Sequence, residues 1–214
     1  MIEIQTFACN MLEENCYVVS DETQACVIID CGAYFDTDKQ AITDYISKQQ
    51  LKPEHLLVTH GHLDHNFGNE TVYQAYGLMP EVAREDENLM KGLHRQAEAM
   101  YRMQLDTNFP PIGRLLEDGD TISFGNHSIE VIHTPGHSRG SVSFYIKEEN
   151  VLFTGDTLFR MSIGRTDFQG GSMMQIIQSL RRLAQLPDKT VVYPGHGEQT
   201  TIGDELRHNP YMER

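Results

Sequence analysis

Thr59-His60-Gly61-His62-Leu63-Asp64-His65 is the stretch on which the reading of this chain turns. Between positions 60 and 65 it carries three imidazoles and a carboxylate, delivered by the apolar run Leu56-Leu57-Val58. His60 and His62 are one residue apart, so in extended backbone their rings point to the same side. Asp64 and His65 fall where a strand should have ended, and a turn there can aim them elsewhere. These donors are enough to begin two neighbouring metal sites. The rest of the chain must then supply the missing ligands.

Upstream, residues 2–8 alternate apolar and polar like a half-buried strand, and Asn15–Val19 and Ala25–Ile29 read as two more. The third ends at Asp30, an acid at a strand end that reads as a loop organiser and not a ligand. Residues 37–50 predict a helix capped by Thr37 or Asp38 and stopped by Pro53, with Ile42, Tyr45, Ile46 and Gln49 on one face. Downstream, residues 66–76 predict a short helix ending at Gly77, and 79–83 a strand. Residues 85–104 predict one helix, with Met90, Leu93, Ala97, Met100 and Tyr101 near one face. Phe109-Pro110-Pro111 closes this helical insertion, at about 85–111.

From Glu117 a second β-rich half begins, with strands expected at 121–124, 128–133, 141–147, 151–154 and 190–193 and a helix at 172–185. Three of these strands run into polar loops: Thr134-Pro135-Gly136-His137, Gly155-Asp156-Thr157 and Pro194-Gly195-His196-Gly197. Glycine before His137 and His196 permits tight turns that free the ring. No repeat or linker divides the chain, so 1–214 reads as one domain. Two successive β-rich halves with helices interspersed predict an α/β fold, two sheets face to face with helices outside, in four layers α-β-β-α.

Composition narrows the function. The chain has 214 residues, 39% of them hydrophobic, enough for a proper core. Thirty-one acidic residues against 17 Lys and Arg leave a formal charge of −14, which argues against a nucleic-acid partner. No apolar run approaches the roughly 20 residues that span a bilayer. The first residues alternate without a basic-then-apolar leader, so a cytoplasmic location is expected. Cys9, Cys16, Cys26 and Cys31 form no Cys-x-x-Cys pair and read as buried thiols.

The succession His-x-His-x-Asp-His, Gly-His, Gly-Asp-Thr and Gly-His-Gly resembles the metallo-β-lactamase superfamily, over nearly the whole chain from Asp30 to His196. Within it, the segments 153–159, 163–171 and 193–197 and the closing Asn209-Pro210 are most similar to the short glyoxalase II-like thioester hydrolases. The resemblance implies a first metal held by His60, His62 and His137, a second by Asp64, His65 and His196, and a bridge from Asp156. It implies two divalent metal ions, zinc first, with iron or manganese also compatible with this donor set. Asp30 and Thr134 are the candidates to orient the rings.

The chemistry implied is hydrolysis of a small acyl thioester of the S-lactoylglutathione type. A bridging water acidified from about 16 towards 7 attacks the carbonyl, and Asp64 orients the nucleophile or takes a proton. Arg165 stands where glyoxalase II enzymes carry a basic glutathione contact, though Thr166-Asp167-Phe168 departs from the family's following aromatic; pairing of Arg165 with Asp167 is the alternative. Arg139 could meet an anionic substrate. His55, His94, His127, His133 and His208 lack ligand spacing. A mononuclear-iron persulfide dioxygenase shares the Gly-Arg-Thr-Asp-Phe-Gln segment, and a non-catalytic metal or thiol binder is the remaining reading.

Overall fold

Alternation along the first strands sets the architecture. In the computed structural model, which describes residues 1–213, β1 (Ile2–Cys9), β2 (Glu14–Asp21) and β3 (Ala25–Ile29) form an antiparallel meander. Tyr17, Val19, Val27 and Ile29 face one side of it, and Cys16, Val18, Cys26 and Ile28 the other. Both faces are covered, which is why β2 is buried along its whole length. β4 (Lys52–Leu57), β5 (Pro80–Ala83) and β6 (Arg114–Leu116) add parallel pairings and complete a sheet in the order β1-β2-β3-β4-β5-β6.

Parallel neighbours need crossovers, and α1 (Asp36–Lys48) and α2 (Asn69–Tyr76) are those crossovers. Ile42, Ile46 and Val72 seat the two helices on Cys16, Val18, Ile28 and Leu56. Gly77, at φ 72°, ends α2 in the left-handed conformation. The next crossover carries α3 (Glu87–Met90) and α4 (Leu93–Tyr101), whose Met90, Leu93 and Ala97 pack with Val58, Leu63 and Val82.

The second half repeats the plan. β7 (Thr121–Phe124), β8 (His127–His133), β9 (Val142–Ile146) and β10 (Val151–Gly155) are antiparallel neighbours. A small hairpin, β11 (Leu158–Phe159) with β12 (Ser162–Ile163), and then α5 (Met173–Leu183) lead to β13 (Val191–Pro194), parallel to β10. β14 (Thr200–Thr201) pairs with β13, and α6 (Ile202–His208) follows. Leu180 and Leu183 of α5 cover Tyr145, Leu152 and Val192 on the outer face, while Phe124, Val131, Phe144 and Phe153 meet Tyr17, Val27, Ile29 and Leu57 between the sheets. The layers are helix, sheet, sheet, helix, as the sequence implied.

Several local expectations needed correction. The helix expected over 85–104 is two pieces, broken at Lys91–Gly92 and closed by Arg102 at φ 54°. Pro53 lies inside β4, at the point where its register with β3 slips between Cys26 and Val27; the irregularity accommodates the missing N–H. The cap of α1 is Phe35, not Thr37 or Asp38; Asp38 accepts the Phe35 N–H from the first turn and takes the Asn10 N–H as well. Strands β6, β11, β12 and β14 and helix α6 went unanticipated, being short or spaced without clear period.

Candidate metal centre

Strand ends bring the ligands together. β4, β8, β10 and β13 each stop just before a donor-bearing loop. Gly155 and Pro194 are register partners, and the Gly195 N–H donates to the Gly155 carbonyl at 2.8 Å, so Asp156 and His196 emerge side by side. The two sheets are stitched at the same edge: the Val142 N–H donates to the Thr59 carbonyl at 2.9 Å, and the Asn15 N–H to the Gly195 carbonyl at 2.8 Å.

The donors fall into two groups, His60 with His62 and His137, and Asp64 with His65 and His196, each offering one atom within 4.8 Å of the others. Asp156 lies between them: Oδ1 is 3.4 Å from Nε2 of His65, and Oδ2 is 3.5 Å from Nε2 of His137 and 3.8 Å from that of His196. These are the seven residues that the family resemblance implied as ligands.

Hydrogen bonds choose which nitrogen is bare. His65 Nδ1–H donates to Asp30 Oδ2 at 3.0 Å, His137 Nδ1–H to the Arg165 carbonyl at 2.8 Å, and His196 Nδ1–H to the Leu12 carbonyl at 3.1 Å. The Thr59 hydroxyl donates to Asp30, so its oxygen accepts Nδ1–H of His60 at 3.1 Å. Each of these rings therefore turns Nε2 inward, as the nitrogen left to hold a cation. His62 turns Nδ1 instead, 2.9 Å from Nε2 of His137.

The residues fit a pair of cations. Nε2 of His60, Nε2 of His65 and Oδ1 of Asp156 are buried with no hydrogen-bond partner, a costly state for atoms pointing into one space. Burial, reinforced by the neighbouring rings, holds His60 well below the ordinary histidine range and His62 down to about 4, so both are neutral. Burial works against the charge on Asp156, but His65, His137 and His60 more than offset it and keep the group a carboxylate. Burial alone would lower His65; the carboxylates of Asp156, Asp64 and Asp30 overcome that and raise it. A buried cluster this rich in anions calls for compensating positive charge.

Residues not singled out from the sequence hold the loops. Asp86, at the head of the insertion, accepts from the Gly61 N–H at 2.9 Å, the Ser138 hydroxyl at 2.6 Å and the Gly140 N–H at 2.7 Å. One carboxylate thus ties the first histidine loop to the His137 loop. Gln96 of α4 accepts from the Leu63 N–H and donates to the Gly61 carbonyl. Asn66 donates to the carbonyls of His60 and His62, and Asn10 to that of Asp64. Asn15 and Tyr17 donate to the Pro194 carbonyl behind His196. The only sequence signal for Asp86 was an acidic run that reads equally well as a solvated helix start.

Asp30 takes the organising place expected of it. It accepts the Thr59 N–H at 2.7 Å as well as His65. Thr134 does not orient a ring: its oxygen lies 3.1 Å from both Ser143 Oγ and Thr157 Oγ1, so it joins the end of β8 to the Asp156 turn. The Arg165 carbonyl orients His137 in its stead. The Arg165 guanidinium is gripped through Nε and Nη2 by Asp167, both at 2.7 Å, and lies 4.0 Å from the Phe168 ring centre. A near neighbour in sequence holds that donor edge, and Arg165 does not line the cavity beside His62. His127 bonds Asp21 and Glu149, His55 bonds Glu81, and His133 accepts no role at the centre, bonding the Arg139 carbonyl.

Comparison with known proteins agrees with the geometry. Residues 10–196 match the Metallo-beta-lactamase superfamily. A curated relative, the hydroxyacylglutathione hydrolase GloC of Haemophilus influenzae, is 33% identical over 99% of this chain and 98% of its own length. Among solved structures, BLEG-1 B3 metallo-beta-lactamase is similar with TM-score 0.90 and 32% identity, over 98% of this chain and 99% of its own. TTHA1623 in a di-iron-bound form has TM-score 0.86 and 35% identity, over 97% and 100%. ETHE1 from Myxococcus xanthus has TM-score 0.78 and 27% identity, over 97% and 83%.

Proposed function

The chain belongs to the metallo-beta-lactamase superfamily, and from that premise we propose that it is a dinuclear metal-dependent hydrolase of small acyl thioesters, of the S-lactoylglutathione type. One observation carries the reading: two complete donor groups share Asp156 between them. GloC, a hydroxyacylglutathione hydrolase by name, matches this chain over nearly its whole length and supports that substrate class.

When bound, two divalent cations supply Lewis acidity towards the carbonyl and acidify water. The chain supplies the rest. Asp30, Thr59 and the carbonyls of Arg165 and Leu12 keep the rings in the tautomers that leave inward nitrogens bare. Asp64, 3.3 Å from Nε2 of His196, presents a carboxylate able to take a proton beside the reacting centre. A thiolate leaves without a strong acid, and the chain need not provide one. Zinc is the proposed metal, and the di-iron form of a similar chain makes iron its competitor. Four buried free thiols suit a cytoplasmic site of action.

The test joins metal analysis to a screen of S-lactoylglutathione and other acyl thioesters. Two ions per chain and turnover that Asp156→Asn abolishes are expected. About one iron per chain, with oxygen uptake on glutathione persulfide and no hydrolysis, would establish instead the dioxygenase reading that the Gly-Arg-Thr-Asp-Phe-Gln segment keeps alive. The Gly195-His196-Gly197 end is what favours the hydrolase, since the dioxygenases tend to carry Ala-His-Asp there.

A further inference from the structure

A cavity of about 610 Å³ opens from His62, walled on one side by the insertion and on the other by the loops at Arg139 and Phe168. It is far larger than a small acyl group needs. Its charged lining is Arg95 and Arg139 with Glu85 and Asp86, and Asp86 is already taken up by the Gly61, Ser138 and Gly140 donors. Neither guanidinium has an ion pair or hydrogen bond among the described residues, whereas every other described arginine except Arg102 is paired with a carboxylate. In a chain of formal charge −14, two unpaired arginines in one cavity mark a place for an anion.

Both are held from behind. Gln96, next to Arg95, is bonded to Gly61 and Leu63 of the histidine loop. Gly140, next to Arg139, has its N–H on Asp86. The same two contacts that shape the metal centre therefore set the backbone positions of the two arginines. Gly170 leaves room for the Arg139 stem, since a Cβ there would lie 3.3 Å from Arg139 Cγ. Leu89, Met100 and Phe168 give the cavity an apolar body.

Resting on the thioesterase reading, we propose that this cavity takes the thiol-derived half of the substrate and that Arg95 and Arg139 bind carboxylate groups on it. The specificity contact then comes from the insertion and the His137 loop, and not from Arg165, which Asp167 holds. Guanidinium–carboxylate hydrogen bonds give the discrimination, and Leu89, Met100 and Phe168 take the carbon skeleton.

The experiment measures binding, by calorimetry on metal-loaded protein, of S-methylglutathione and its dimethyl ester. The thioether cannot be hydrolysed and carries two carboxylates that the ester masks. Wild type should prefer the acid by about tenfold or more, with a preference that shrinks as salt rises. Arg95→Ala/Arg139→Ala should bring the acid and ester affinities together, Arg95→Lys/Arg139→Lys should keep a salt-sensitive preference, and Arg165→Ala should leave the ratio as in wild type. Equal binding of acid and ester by wild type, or loss of the preference in Arg165→Ala alone, overturns the proposal. Thioester turnover is scored separately. Hydrolysis without charge preference defeats this subsite and spares the proposed reaction; an arginine-dependent preference without hydrolysis does the reverse.

Discussion

His65 Nδ1–H donates to Asp30 Oδ2 across 3.0 Å, and the same oxygen accepts the Thr59 hydroxyl at 2.6 Å. Asp30 holds this position at φ 50°, in the left-handed region that Asp tolerates better than most residues. Asp30→Asn keeps the shape but loses the charge that fixes the His65 tautomer. Metal affinity at the Asp64, His65, His196 group should fall about 10- to 100-fold, with the other group less affected. Chelator competition reads this directly; two sites as tight as in wild type would remove Asp30 from the role.

Asp86 connects two metal-bearing loops through three buried hydrogen bonds. Asp86→Ala strands two backbone N–H groups and a hydroxyl. The expected destabilisation is about 2–4 kcal/mol, seen as a lower urea midpoint at unchanged slope. An unchanged midpoint would mean that water replaces the carboxylate at no cost.

Gly195 has no room for a side chain: a Cβ would lie 2.3 Å from Asp156 Oδ1 and 2.7 Å from His65 Cε1. Gly195→Ala must displace the carboxylate between the two donor groups. Far-ultraviolet circular dichroism should stay native while bound metal falls below wild type. Full metal occupancy in this variant would show that Asp156 can move without consequence.

Removal of metal should leave Nε2 of His60 and His65 and Oδ1 of Asp156 buried without a hydrogen-bond partner. At free ion near a thousand times Kd, each site adds about 4 kcal/mol, so stripping one ion should lower Tm by about 8–16 °C and stripping both by about 16–32 °C in a chain of this size. Scanning calorimetry with and without restored metal checks this, and identical transitions would contradict it.

Asp21 links the first sheet to the turn before β8. Burial opposes its charge, but the Thr23 hydroxyl, the N–H groups of Asn126 and Thr23, and His127 together bring its carboxyl down to about 2. A depressed carboxylate stabilises the fold above the ordinary range near 4. That contribution, roughly 1–2 kcal/mol, is lost as pH falls from about 4 to about 2. Asp21→Asn should be less stable at pH 7 and should show a shallower loss across that acid interval, measured by urea unfolding at each pH.

The long strands and the crossover helices α1, α2 and α5 were legible because apolar side chains recur with periods of two or about 3.6, whatever the partner. The insertion was less so. Its apolar face at Met90, Leu93 and Ala97 was visible, but the break at Lys91–Gly92 follows from docking on Val58 and Leu63, which no local pattern encodes. Thr134 was misread for the same reason: proximity to His137 along the chain says nothing about which oxygen faces the ring.

The periods of apolar residues along the chain determined the layered α/β architecture, because each period fixes which face of a strand or helix must be buried, and the succession of His and Asp motifs implied the seven donors through its family resemblance. Tertiary structure alone decided the rest. Asp86 and Gln96 clamp the histidine loop, the Arg165 backbone serves His137 while its side chain is spent on Asp167, and Arg95 and Arg139, forty-four positions apart in the numbering, share one cavity. Hydrogen bonds and charges act through space over a few ångströms, and the separation of these groups along the chain carries no record of that distance.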